Sequence, residues 1–299
     1  RDRFTLLSRR MTERSAETGE HYIARNMQDF YILFKKAIGG GVITGFTVML
    51  KFLCAHLSVV GIPYGIAASL NYCVSFLAIH FFGFTLATKQ PAMTASTLAE
   101  KMHYTEKNDS LHSICDEIIH LVRSQMIAVL GNMIAVVMMT ILLCSLYEYS
   151  FHSGFISNEK AIHTIESLSF FGMTTIYAIF TGILLFSSSI IAGYIDNWFV
   201  YHQLEDALGS SSRMKFILGK LGALKFSAFC KQNITGIVSN VSLGIMLGFT
   251  PVLSAFLNLP LDVRHITLSS GALAASVFQL GADSFKLNGF WFAILGLIA

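Results

Sequence analysis

Long apolar runs alternate with short polar ones along this chain, and the runs have the length a bilayer requires. A helix rises 1.5 Å per residue, so about 20 apolar residues cross a hydrocarbon core ~30 Å thick. Such windows lie at residues 37–60, 62–87, 124–146 and 170–193, and a fifth starts near Ile234. Residues 265–282 make a sixth, short span or a re-entrant segment, and Asn288 onward begins a seventh. Ahead of the first window, Ile23, Met27, Phe30, Tyr31 and Phe34 recur at helical spacing among charged residues. That pattern predicts an amphipathic helix running into the membrane. Two more amphipathic helices are predicted at the interface. One starts at a cap on Asn108 or Asp109 and carries a stripe of Leu111, Ile114, Ile118, Leu121 and Val122 before diving into the bilayer at the third window. The other covers residues 213–232, with Met214, Ile217, Leu218, Leu221 and Leu224 on its apolar side. The expected fold is therefore all-α: a polytopic integral membrane helical bundle with about six to seven hydrophobic segments and interfacial amphipathic helices. Residues 1–36 form a cytoplasmic amphipathic segment and residues 37–299 a transmembrane domain truncated at its C-terminal end.

Composition and charge support this division. The chain is 54% hydrophobic and 13% charged, against about 25% charged in a soluble domain. Its Lys and Arg residues fall in alternate connections. Eight precede the first span, and Lys89, Lys101, Lys107 and Arg123 lie between the second and third. Arg213, Lys215, Lys220, Lys225 and Lys231 lie between the fourth and fifth, while the intervening connections carry none and one. By the positive-inside rule the N-terminus is cytoplasmic. The five cysteines form no CxxC pair and lie in or beside apolar segments, which indicates free thiols rather than a disulfide or metal framework. The stretch 109–123 has a single ExxH, Glu117 to His120. A solvated helix face is the preferred reading of this stretch, and no metal or cofactor is expected.

Polar groups inside apolar runs are the candidate chemistry. Gly41 and Gly45 form a GxxxG, and Gly236, Asn240, Gly244 and Gly248 stand four apart on one ridge, both suited to close helix contact. Lys51 sits past the middle of the first span, where it either snorkels to the interface or marks a site. Asn71, Asn132 and Asn240 lie near the centres of three spans. They either hydrogen-bond between helices or converge with Lys51 on one polar cavity. Pro251 is expected to interrupt the fifth span and Pro260 to stop it, and Asp262, Arg264 and His265 follow. That cluster is either an ion pair and helix start at the membrane surface, or a helix-end site for an anionic group with Arg264 as countercharge. The following phrase, ITLSSGALA (Ile266 to Ala274), is partly like MTASTLA (Met93 to Ala99), and each comes after a GFT. The charge topology puts these two copies on opposite sides of the membrane, as an inverted repeat would.

Three phrases carry a family resemblance: GFTLATKQPAMTASTLA (Gly83 to Ala99), GYIDNWFVYHQL (Gly193 to Leu204) and NVSLGIMLGFTPVLSAFLNLPLDVRHITLSSG (Asn240 to Gly271). With them the chain resembles a bacterial membrane-protein family catalogued as "site-specific recombinase", over most of residues 15–285. The resemblance implies a bacterial inner-membrane protein, larger than this chain, with a mostly helical polar region ahead of it. It brings no matched catalytic residues. A tyrosine recombinase needs a tyrosine nucleophile and cations, including an HxxR pair, facing a phosphate. The one HxxR here, His120 to Arg123, lies where a helix enters the membrane. No basic surface interleaved with aromatics lies outside the spans, so nucleic acid is not an expected partner of this segment. The expected function is non-enzymatic: a membrane-embedded transport or binding module for a small or lipid-like solute. Its candidate ligand-binding residues are Lys51, Asn71, Asn132, Asn240, Asp262, Arg264 and His265. A membrane scaffold for a separate soluble region, and DNA recombination as the family label states, are the alternatives. The expected partners are the lipid bilayer and its anionic headgroups, with a homo-oligomer left open.

Overall fold

The computed structural model describes residues 23–56, 60–89, 94 and 111–298, which hold helices and turns and no strand. In chain order the helices are α1 (Met27–His56), α2 (Gly61–Phe81), α3 (Leu111–Phe151), α4 (Asn158–Ser167) and α5 (Thr174–Tyr201). They continue with α6 (Leu204–Ser210), α7 (Ser212–Leu257), α8 (Ile266–Leu280) and α9 (Asn288–Ile298). Short 3-10 turns occupy Ala87–Lys89 and Gly281–Lys286. Five of the helices, α1, α2, α3, α5 and α7, are long and apolar enough to cross a membrane.

The predicted interfacial helices are continuous with the spans they precede. In α1 the stripe Phe30, Leu33 and Ala37 is buried against Ala128 without interruption, so the helix has no boundary at residue 36. Residues 1–22 and the cap expected at Asn108 or Asp109 lie outside the described residues. Helix α3 has 41 residues, roughly 60 Å, or twice the thickness of a bilayer core. Helix α7 has 46 residues and a single break at Gly219, with φ 72° and ψ 167°. That region of backbone space is essentially reserved for glycine. Around the break Phe216 and Ile217 are exposed, as lipid-facing residues at an interface would be.

Two helix ends differ from the sequence expectation. Pro251 does not interrupt α7, which continues to Leu257 and ends at Asn258 in the left-handed conformation. Proline removes one N–H, and membrane helices tolerate that when side chains and neighbours satisfy the freed groups. Here the Thr250 hydroxyl donates to the Met246 carbonyl at 2.7 Å. Helix α2 ends at Phe81 rather than at residue 87, because Gly83 has φ +67° and the Phe84 amide closes back on the Ile79 carbonyl. The two GFT phrases are thus not equivalent in structure, since Gly83 ends a helix and Gly248 lies inside one.

Small residues set the helix pairs. Helices α1 and α3 run parallel, with Gly41 against the Asn132 carbonyl and Ala135, and Gly45 against Met139. Helices α2 and α7 run antiparallel, Gly236 facing His80, Gly244 facing Cys73 and Gly248 facing Ser69. A Cβ on Gly248 would stand 2.6 Å from the Ser69 Cα, so the ridge read from the sequence is a backbone-to-backbone contact. Val48, Tyr72, Phe76, Val136, Leu243 and Leu247 fill the core between these pairs. Helix α5 packs on α7 and leaves Ile176, Ile179, Ile183, Phe186 and Ile190 exposed along one stripe.

The feature that positions the site is a pair of segments folded back into the bundle. Beyond α2, the Thr85 amide donates to the Lys36 carbonyl, and Ala87–Lys89 lies inside, with the Lys89 ammonium over the Phe76 ring. Beyond α7, residues 258–265 turn back from the opposite end, and α8 begins within the bundle and runs outward again. Its Gly271 touches Val48 and Val136, and its Gln279 bonds Asn158. With 15 residues α8 is ~22 Å long, too short to cross. Of the two sequence alternatives for residues 265–282 this is the re-entrant one. The two segments meet where the Thr88 hydroxyl hydrogen-bonds Nε2 of His265.

Candidate functional site

The returning segment after α7 organises one cavity. Asp262 accepts from the Val263 amide at 2.8 Å and from the Arg264 guanidinium. The same guanidinium donates to the Ser167 carbonyl at 3.0 Å and lies over the Tyr177 ring at 5.2 Å, while the Arg264 amide donates to the Thr181 hydroxyl at 2.8 Å. Arg264 is therefore held by α4, α5 and its own carboxylate neighbour, and its Nε is left buried without a partner. His265 is 2% exposed. Its Nε2 is taken by Thr88, its ring stacks on Phe76 at 6.5 Å, and its Nδ1 is unpartnered. No side chain caps α8, which starts at the next residue, so the positive end of that helix dipole lies at the same place.

These groups line a cavity of about 190 Å³ together with Lys51, Tyr64, Tyr72, Lys160 and His163. Lys51, Lys160 and Arg264 bring three cations against the single carboxylate of Asp262. Among the described residues Lys51 makes no hydrogen bond or ion pair, so its ammonium is free for a ligand. A wider cleft at the same end of the bundle shares Phe52 and Lys160 with the cavity.

A second cavity, of about 210 Å³, lies towards the other end and is lined by Lys36, Phe76, His80, Thr85, Lys89 and Asn240 among others. The Lys89 ammonium donates to Oδ1 of Asn240 at 2.5 Å and to the Ser239 hydroxyl at 3.4 Å. Among the described residues its partners are neutral, an expensive arrangement for a cation at this depth. Phe76, His265 and Thr88 stand between the two cavities.

Of the residues singled out in the sequence, Lys51, Asp262, Arg264 and His265 come together at the first cavity and Asn240 lies at the second. Asn132 is fully buried and ties α3 to the other in-folded segment. Its amide donates to the carbonyls of Ala37 and Thr85 and accepts from the Ala87 amide. Asn71 donates to the Thr47 carbonyl at 2.9 Å, beside the Thr47–Ser75 hydroxyl pair, and its Oδ1 is buried without a partner. The three asparagines thus occupy three separate places. Thr88, Lys89, Tyr64 and Tyr72 were not anticipated. The signal for Thr88 and Lys89 was the hydroxyl-rich run after Gly83 and its likeness to the run after Arg264, although Met93 and residues 95–99 of that likeness lie outside the described residues.

The family model described as "Site-specific recombinase" matches residues 1–299. The chain belongs to the site-specific recombinase family. No curated protein and no solved structure gives a significant match. Of the HxxR residues, the Arg123 guanidinium lies over the Phe30 ring at 5.0 Å, and Nδ1 of His120 is buried without a hydrogen-bond partner. Glu117 of the ExxH is 9% exposed and bonded to Arg25 at 2.7 Å, so this part of the α3 face is an ion pair rather than the solvated surface expected. Among the described residues no cluster of His, Cys, Asp and Glu could hold a metal ion.

Proposed function

We propose that this recombinase-family chain is a multi-pass membrane protein that binds a small solute and moves it across the bilayer. It lies in the bacterial inner membrane with α1 entering from the cytoplasm, as the clustering of Lys and Arg before α1 and around α6 and α7 favours. The observation that carries the reading is the pair of cavities lying towards opposite ends of the bundle, with Phe76, Thr88 and His265 between them. Irregular backbone at this depth is tolerated where it lines a cavity, and in transporters it is the part that binds and moves. Rearrangement of the Thr88–His265 contact joins one cavity to the other. Bilayer lipid covers the apolar stripe of α5, and anionic headgroups meet the basic start of α7.

The test is flux through proteoliposomes, with labelled inorganic phosphate and labelled glycerol as charged and neutral probes. Thr88→Cys with His265→Cys, in a chain lacking its native cysteines, is expected to carry less flux than the wild type when reduced, because His265 lines the first cavity, and to lose the remainder when cross-linked. Flux that survives cross-linking, or that matches empty liposomes for both probes, rejects transport. The family description favours a second reading, DNA recombination. It requires salt-sensitive DNA binding and strand exchange by the purified protein, and the absence of both ends it.

A further inference from the structure

The first cavity has a chemistry more specific than solute binding. Its cations outnumber its carboxylate, and Asp262 is already committed to Arg264. Lys51 keeps three donors free, and Arg264 keeps its Nε. The uncapped start of α8 adds main-chain amides and the positive end of a dipole, the arrangement that receives phosphate at other helix starts. A helix start alone is not a site. Here a second observation points at a ligand: His265 is 2% exposed, lines the cavity, and holds an Nδ1 with no protein partner while its Nε2 is fixed by Thr88. A buried, unpaired nitrogen of this kind costs free energy unless something bonds it. The volume, about 190 Å³, is below the roughly 300–1,000 Å³ of drug-sized ligand pockets, and suits a single small group.

We propose that the cavity formed by Lys51, Tyr64, Tyr72, Arg264 and His265 at the start of α8 binds an anionic phosphate group, either free or on a lipid headgroup. This deepens the solute-binding reading above and rests on it. Lys51 supplies the mobile charge and Arg264 a fixed one, the positive end of α8 adds to both, and the tyrosine hydroxyls at the wall donate to the oxygens of the anion. His265 couples the site to the second cavity, since the ring that faces the ligand is the ring that holds Thr88.

The experiment is titration calorimetry of the full chain in neutral detergent with inorganic phosphate, paired with native mass spectrometry of the chain carrying phosphatidylglycerol. Lys51→Met is expected to weaken phosphate binding at least tenfold with an unchanged melting temperature, and Lys51→Arg to retain it. If Lys51→Met lowers the melting temperature, Tyr64→Phe is the second variant, expected to weaken binding about threefold through loss of one hydroxyl. Phosphatidylglycerol retained by the wild type and lost from Lys51→Met, without binding of inorganic phosphate, assigns the group to a lipid and upholds the site. Binding of neither, or binding that is the same in all variants, overturns it. The two readings fail separately. Lys51-dependent binding without flux removes transport and leaves the site, whereas flux indifferent to Lys51 removes the site and leaves transport.

Discussion

Asn132 is the residue whose replacement tests the in-folded architecture most directly. It is fully buried and makes three hydrogen bonds, to the Ala37 and Thr85 carbonyls and from the Ala87 amide. The last two partners belong to an extended stretch and a 3-10 turn, so no helix ladder takes over when Asn132 is lost. Replacing it with leucine keeps the branching and the number of side-chain heavy atoms, in a larger volume, and removes the bonds. Interhelical hydrogen bonds in membranes average about 0.6 kcal/mol, which puts the lower bound near 2 kcal/mol. Leaving the Ala87 N–H and the Thr85 carbonyl buried and unpaired costs about 1–3 kcal/mol each, which puts the expectation at about 2–6 kcal/mol. Asn71→Leu is the comparison. It removes one bond, to the Thr47 carbonyl, and is expected to cost under about 1 kcal/mol. Unfolding in mixed micelles measures both, and hydrogen exchange at Ala87 reports whether the segment has come loose. A cost below about 0.5 kcal/mol for Asn132→Leu, with Ala87 as protected as in the wild type, refutes the anchoring argument.

Three further outcomes follow from the packing. Gly248→Val brings a side chain against the Ser69 backbone, and is expected to lower stability by about 1–3 kcal/mol in the same assay; a neutral effect rejects the close α2–α7 contact. Gly219→Ala places a Cβ at φ 72° and ψ 167°, with an expected loss of about 1–3 kcal/mol, and an unchanged unfolding curve shows that α7 does not break there. A chain retaining Cys115 as its only cysteine, exposed near the start of α3, is expected to react with a membrane-impermeant maleimide in inside-out vesicles and not in right-side-out ones; the reverse pattern inverts the proposed orientation.

The five long helices were legible in the sequence because apolar length is a property of one segment. The Gly41–Gly45 and Gly236–Gly248 contacts were legible for a related reason, since small residues four apart lie on one face of a helix whatever packs on it. Two kinds of information were not carried. Helix ends depended on backbone conformation at Gly83 and Asn258; Pro260 follows the end of α7 closely, as expected, whereas Pro251 gave a visible but misplaced signal. The grouping of polar residues depended on the rotation of each helix about its axis. In spans that are apolar nearly all round, the pattern does not record that rotation, so Asn71, Asn132 and Asn240 looked alike and face three different environments. Lys89 reads from the sequence as part of a connection because its segment is too polar to cross, and its ammonium lies inside the bundle over the Phe76 ring.

The uncrossed helix also bears on the order in which the protein is assembled. A 15-residue segment rich in Ser, Thr and Gly, preceded by irregular backbone, offers the insertion machinery neither the length nor the satisfied main chain that hydrocarbon demands. Its walls are side chains of α1, α3 and α4, with Thr88 and His265 joining it to a segment synthesised far earlier. Helix α8 can enter only a bundle that has already closed around its place. Seating α8 is thus the step that completes the first cavity, whose wall includes His265, Leu268, Ser269 and Ala272, and a chain arrested before it would lack that site.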